Sequence, residues 1–191
     1  MSSFVHLHTH THYSLLDGMS KIPDLVARAK ELGMTSVAMT DHGNLYGAVE
    51  FYKECTKAGI KPILGVEAYI APGDHKDKNA GVGEDKYYQL ILLVQNEAGW
   101  KNLLQLVTDS WIEGFYYKPR MDKAMLRKRS EGLIATSACL GGEVSQLILK
   151  NQMAEAEKVV RDYQEIFGKE NFYIEIGRHA KIEDIEKVNK G

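Results

Sequence analysis

Short apolar runs alternate with amphipathic stretches along almost the whole chain, and this alternation restricts the fold more than any other feature. Residues 4–7 read as a strand, and residues 22–32 as a helix with Ile22, Leu25, Val26, Ala29 and Leu32 on one face. Pro23 suits the first turn of that helix and Gly33 its exit. A strand at 36–40 follows, then a helix at 45–58 with Leu45, Ala48, Val49, Tyr52 and Cys55 in register and Gly59 at its end. Residues 61–70 and 88–94 read as buried strands, and 97–112 as a helix carrying Trp100, Leu103, Leu104, Val107 and Trp111. The pattern closes with a strand at 132–137, a helix at 151–167 capped by Asn151 and stopped by Gly168, a strand at 172–176 and a helix opening at Lys181. Strands that alternate with helices predict parallel βαβ units with right-handed crossovers, in a barrel or an open sheet.

Hydrophobic residues make up 44% and charged residues 26%, with 4 Pro against 17 Gly, so the chain is globular. No linker divides it, which predicts one domain over residues 1–191; the polar stretch 73–86 is expected to be a mobile loop. No apolar run is long enough to span a membrane, and the start lacks the pattern of a signal peptide. Cys55 and Cys139 cannot build a disulfide framework, so a cytoplasmic setting is expected. Cys55 lies on the apolar helix stripe and is expected to pack there. The chain reaches Gly191 within a helical pattern and without a closing strand, which is expected of part of something longer.

The net charge of −2 and pI near 6.4 lack the footprint of a nucleic-acid binder. Locally, however, Lys118, Arg120, Lys123, Arg127, Lys128 and Arg129 follow Phe115, Tyr116 and Tyr117. This run is either a solvated helix face or a contact with DNA or a partner through Lys118, Arg120 and Arg127.

The chemistry concentrates where predicted strands end. His6, His8, His10 and His12 alternate, and in extended chain residues two apart share a side at roughly 6.5 Å, so neighbouring imidazoles reach a common metal. Asp17 follows in a turn, and Asp41-His42-Gly43 sits past the second strand. Glu67 is a carboxylate within an apolar run, where an unpaired charge is costly, so it is either salt-bridged or metal-bound. Cys139 follows the fifth strand, and Arg178-His179 the sixth. Active groups of βα barrels gather at that rim, so one polynuclear site would account for all of them. No glycine-rich phosphate loop is present, and Ser137 and Cys139 lack the context of a hydrolase nucleophile.

These residues carry a resemblance. His6-Leu-His-Thr-His10, Asp41-His-Gly-Asn-Leu45, Gly59-Ile-Lys-Pro-Ile-Leu-Gly-Val-Glu67, Glu113-Gly-Phe-Tyr-Tyr-Lys-Pro-Arg120 and Ser130-Glu-Gly-Leu-Ile134 resemble the PHP (polymerase and histidinol phosphatase) family. The longer segments point to the branch found at the N-terminus of the bacterial DNA polymerase III alpha subunit. The resemblance covers essentially the whole chain. It implies a distorted seven-stranded βα (TIM-like) barrel of the PHP type, here incomplete at its C-terminal side, with up to three divalent ions (Zn, Mn or Fe) on nine ligands. His8, His10, Asp17, His42, Glu67 and Cys139 match ligand positions; His6 and His12 flank them, and His179 matches a family histidine outside the firm ligand set. Gln89 stands where the family often has a histidine, and the last Asp-x-His pair has no counterpart within these residues, so fewer metals than three are expected.

The implied activity is metal-assisted phosphoester hydrolysis, with Asp41 and His42 as catalytic candidates and 3′–5′ exonucleolytic proofreading as the polymerase-branch form. The implied partners are DNA and the other replicase subunits, through a full-length polymerase that copies DNA with carboxylates located elsewhere. A structural module without activity, to which Gln89 points, and a free-standing phosphatase acting on a small-molecule phosphoester are the alternatives.

Overall fold

The computed structural model describes residues 4–78, 87–178 and 181–191. Among them run α1 (Ile22–Glu31), β1 (Ser36–Met39), α2 (Ala48–Ala58), β2 (Lys61–Ile70), β3 (Tyr88–Val94), α3 (Glu97–Ile112), β4 (Phe115–Tyr116), β5 (Lys118–Met121), α4 (Lys123–Arg129), β6 (Leu133–Thr136), α5 (Glu143–Leu149), α6 (Met153–Phe167), β7 (Phe172–Tyr173) and α7 (Glu183–Lys190). No helix among the described residues is long and apolar enough to cross a membrane.

The pivot of the sheet is β2. One edge pairs antiparallel with β3, from Gly65 opposite Leu93 to Ile70 opposite Tyr88. The other edge is shared: β1 runs parallel along Lys61 to Leu64, and β5 runs parallel at Tyr69 and Ile70. Between these two, the turn after β1 is stitched on by a parallel bridge of His42 to Glu67, with Glu67 N donating to Asp41 O and Gly43 N to Glu67 O. Beyond β3 lie β6, antiparallel, and β7, parallel to β6.

Alternation along β2 divides its side chains between two environments. Val66, Ala68 and Ile70 join Leu90, Leu92 and Leu133 under Leu103 and Leu106 of α3 and Tyr163, Ile166 and Phe167 of α6. Each such side chain contributes about 1.5–3 kcal/mol by leaving water. Glu67 and Tyr69 point the other way, with Gln89 and Ile91 opposite them on β3 and Thr136 of β6 opposite Ile91. A second core seals α1 and α2 onto β1 through Ile22, Val26, Met39, Phe51 and Cys55. Burial pushes the Cys55 thiol up to about 11, in keeping with its packing role. Where α3 crosses the loop before β6, a Cβ on Gly99 would lie 1.8 Å from Gly132 O. Only glycine allows that approach.

Several expectations need correction. The sheet is mixed, because β3 runs against both its neighbours, and among the described residues its strands follow a path from β4 to β7 with β1 paired to β2. Residues 4–7 are not a strand; they lie extended beside β1, joined by Ala38 N to His6 O, with Thr40 N to Thr9 O further along. Asn151 does not cap α6. It turns the chain after α5 with φ of 58°, and the helix starts at Met153. The β4–β5 hairpin and α5 are additional elements. Arg120, expected as a surface contact, is fully buried: its Nη2 donates to His75 O at 3.0 Å and Asp77 O at 2.8 Å, fastening the start of the loop after β2. Arg127 is paired with Asp162, and Lys118 lies over the Tyr69 ring. Residues 79–86 of the expected mobile loop fall outside the described residues.

Candidate metal centre

The extended segment beside β1 delivers alternate histidines to one side, as the period of two requires. His8 and His10 reach a cavity of about 440 Å³, which Asp17, His42, Glu67, Gln89, Cys139 and Glu175 also line. His6 and His12 do not line it: the His6 ring is exposed against Phe4, and the His12 ring packs on Tyr13. His179 lies outside the described residues.

Three ligand atoms converge at the centre. His8 Nε2 is 2.6 Å from Glu67 Oε2, His10 Nε2 is 3.1 Å from the same oxygen, and the two Nε2 atoms are 3.3 Å apart. The partners of the other ring nitrogens set the tautomers. His8 Nδ1 faces Glu175 Oε1 at 2.8 Å. His10 Nδ1 faces Ser14 Oγ at 3.0 Å, and that hydroxyl donates to Asp41 Oδ1 at 2.6 Å, so it accepts from His10. Both imidazoles therefore aim Nε2 at the buried Glu67 carboxylate, an arrangement of donor atoms that calls for a cation in their midst.

Burial works against a charged His8, but the carboxylates of Glu175 and Glu67 outweigh it and raise His8 to about 9. Glu67 is held well below the usual carboxylate range, because His10, His42 and His8 overcome the effect of burial. Glu175 is also lowered: burial opposes this, while His8 and Thr136 drive it.

A second group shares His10 and adds Asp17 and His42. His42 Nε2 is 2.7 Å from Asp17 Oδ2, and its ring stacks on His10 with centroids 4.1 Å apart. His42 Nδ1 and Glu67 Oε1 lie 3.0 Å apart, yet neither buried atom has a hydrogen bond of acceptable geometry. These orphaned atoms fit a divalent cation, and nitrogen with carboxylate oxygen is a donor set suited to Zn, Mn or Fe. The His42 pKa is raised, since Glu67 and Asp17 outweigh its burial.

The remaining candidates divide clearly. Cys139 lines the cavity but stands apart from both groups, its thiol donating to Gln89 Oε1 at 3.4 Å. Asp41 does not line the cavity at all. It is fully buried, and its carboxylate accepts from Thr11 N, Thr11 Oγ1 and Ser14 Oγ at 2.6–2.7 Å. Its place is behind the histidines, fixing the segment that bears them. Sequence reasoning missed Glu175, although it sits in an apolar run, Phe172-Tyr-Ile-Glu-Ile176, just as Glu67 does.

Fold and side chains together define a mixed α/β domain with two groups of candidate metal ligands in one cavity. The family model of the PHP domain matches residues 6–179, and the chain belongs to that family. Its curated relatives include proteins named DNA polymerase III subunit alpha from Borreliella burgdorferi, 51% identical over 99% of this chain, and from Thermus aquaticus, 47% identical over 98%. A third, from Treponema pallidum, is 46% identical over 95%. The chain spans about a sixth of the length of these relatives, 15–16%. Among solved structures, an amidohydrolase from Chromobacterium violaceum aligns over 97% of this chain and 54% of its own, with 15% identity and a TM-score of 0.42.

Proposed function

We propose that this chain is the PHP domain of a replicative DNA polymerase and that its cavity hydrolyses phosphoesters, in the form of 3′–5′ exonucleolytic removal of nucleotides. The observation that carries the reading is the convergence of His8 Nε2, His10 Nε2 and Glu67 Oε2 beside the orphaned pair of His42 Nδ1 and Glu67 Oε1. His8, His10 and Glu67 would hold one divalent ion and His10, Asp17 and His42 a second, with Cys139 and Gln89 lining the same cavity. Such ions would supply a lowered pKa for bound water and positive charge to offset the phosphate oxygens. The chain's own residues do the rest. Glu175 and Ser14 hold the imidazoles in one tautomer, Asp41 anchors the segment, and Asp17 orients the His42 ring.

The identity of the relatives supports placing this domain, over residues 1–191 and as part of a distorted βα barrel, in a cytoplasmic polymerase that acts on DNA with other replicase subunits. Polymerisation itself belongs to carboxylates elsewhere in such a protein. The scaffold alternative draws on Gln89, whose amide is a weak ligand.

Elemental analysis after purification without an affinity metal tests this reading. At least one Zn, Mn or Fe per chain is expected, together with release of nucleotides from 3′-labelled single-stranded DNA that His42→Ala abolishes while circular dichroism is unchanged. Metal-free protein that stays inert when Zn, Mn or Fe is supplied refutes it.

A further inference from the structure

Beside the cavity the surface carries large rings that no core requires. Tyr46, Trp111 and Phe115 are 60%, 40% and 45% exposed. They come from the turn before α2, the last turn of α3 and β4, yet they form one row. The Tyr46 and Trp111 centroids are 6.3 Å apart, and the Trp111 and Phe115 rings stack at 5.5 Å with 22° between their planes.

The row is fixed to the metal centre. Trp111 Nε1 donates to Gly43 O at 2.8 Å, and Gly43 directly follows His42. Gly43 holds φ of 60°, and a Cβ there would strike Pro119 Cγ at 2.8 Å, so the turn is clamped between β5 and Tyr69. Tyr69 in turn stacks on His42. With its N–H satisfied, Trp111 offers solvent an aromatic face without hydrogen-bonding demands. Such a face suits a partner recognised by stacking and not by its edges.

Charge favours an anionic partner. Lys118 forms no ion pair among the described residues and sits over the Tyr69 ring, 5.3 Å from Nζ to centroid, on the side of the row that leads to His42. Of the acids nearby, Glu113 is paired with Lys76 at 2.6 Å, and Asp109 accepts from Gln105 Nε2 at 2.7 Å. Rings for bases and an ammonium for phosphate, aligned toward a phosphoesterase centre, commit the surface to one occupant.

We infer that Tyr46, Trp111 and Phe115 form a stacking platform for unpaired bases of single-stranded nucleic acid, whose backbone passes Lys118 and Tyr69 toward His42 and Asp17. The inference rests on the hydrolytic reading above for its direction, but binding can be measured without hydrolysis.

The test uses this chain in EDTA, with Trp100→Phe so that Trp111 is the remaining tryptophan. The probes are a short oligothymidylate and an abasic strand of equal charge. Oligothymidylate is expected to quench Trp111 fluorescence and to bind about tenfold more tightly than the abasic strand, and Phe115→Ala and Tyr46→Ala each weaken it by about tenfold. Phe115→Leu, which keeps apolar area but removes the ring, is expected to weaken it as much as Phe115→Ala. Equal binding of both strands, or parental affinity in Phe115→Leu, overturns the platform. Hydrolysis that survives in the platform variants alongside unchanged affinity leaves the catalytic reading standing and sinks this one; platform binding without metal-dependent hydrolysis does the reverse.

Discussion

Replacing Asp41 separates an anchor from a catalyst. Asp41→Ala removes a buried carboxylate that accepts three short hydrogen bonds, from Thr11 N, Thr11 Oγ1 and Ser14 Oγ. The Thr11 amide cannot re-aim, so it bears the full cost of a buried unsatisfied donor, about 1–3 kcal/mol. The two hydroxyls can rotate, but both lose a charged acceptor, and the set together comes to about 4 kcal/mol. With a urea dependence of about 2 kcal/mol/M, the unfolding midpoint should fall by about 2 M. Asp41→Asn keeps one acceptor and should lose about half as much. The assay is urea unfolding followed by circular dichroism, with metal content measured on the folded fraction. A variant that unfolds like the parent but no longer hydrolyses would refute the anchoring role and return Asp41 to the chemistry.

Other outcomes follow from the same geometry. Glu175→Gln leaves His8 without its carboxylate partner and should weaken metal binding by about 10- to 100-fold in competition with a chromogenic chelator. Because His8 is raised to about 9 in the metal-free protein, metal must displace its proton. Affinity should therefore rise with pH up to about 9 and then level off, with proton uptake by buffer visible in calorimetry. The raised pKa also stabilises the metal-free fold below about 6.5, and that stabilisation should fade as pH climbs toward about 9, which thermal unfolding across the range would register. Gly99→Ala drives a methyl into the Gly132 carbonyl and should cost about 3 kcal/mol or more, read as a lower urea midpoint. Asp122→Ala removes both the α4 cap, which accepts from Met125 N, and the partner of buried His75; a loss of about 2 kcal/mol is expected in the same assay.

The legible parts of the fold were those with a period. β2, β3 and α3 have the bounds that their patterns predict, because long apolar runs and a full helical stripe leave little choice. Strand direction was not legible. β3 is buried along most of its length, so its side chains carry no mark of orientation, and the connection after β2 allows a return either way. The β4–β5 turn went unseen because Tyr117 adopts φ of 60° where glycine or asparagine would have announced it. Of the ligand candidates that the family's motifs imply, His8, His10, Asp17, His42 and Glu67 gather at one cavity, and Cys139 lines it at a distance from them. Asp41 was readable as important but not as buried, since a carboxylate beside a ligand looks the same in sequence whether it faces the cavity or supports it. The basic run was legible only in part: it crosses from a strand into a helix, so Arg120 turns inward while Lys118 and Arg127 do not.

The shared edge of β2 has one more consequence. Because the turn bearing His42 occupies the gap between β1 and β5 as though it were a strand, Glu67 and His42 are held by the same ladder that orders the sheet. Sheet pairing admits only steps of whole residues, and a step of one reverses every side chain. The register that sets these two groups side by side is thus quantised: under mutation it holds or slips by a whole residue. An inserted residue between Leu64 and Glu67 would turn the carboxylate into the apolar layer under α3, whereas one placed between α2 and β2 would leave the cavity as it stands.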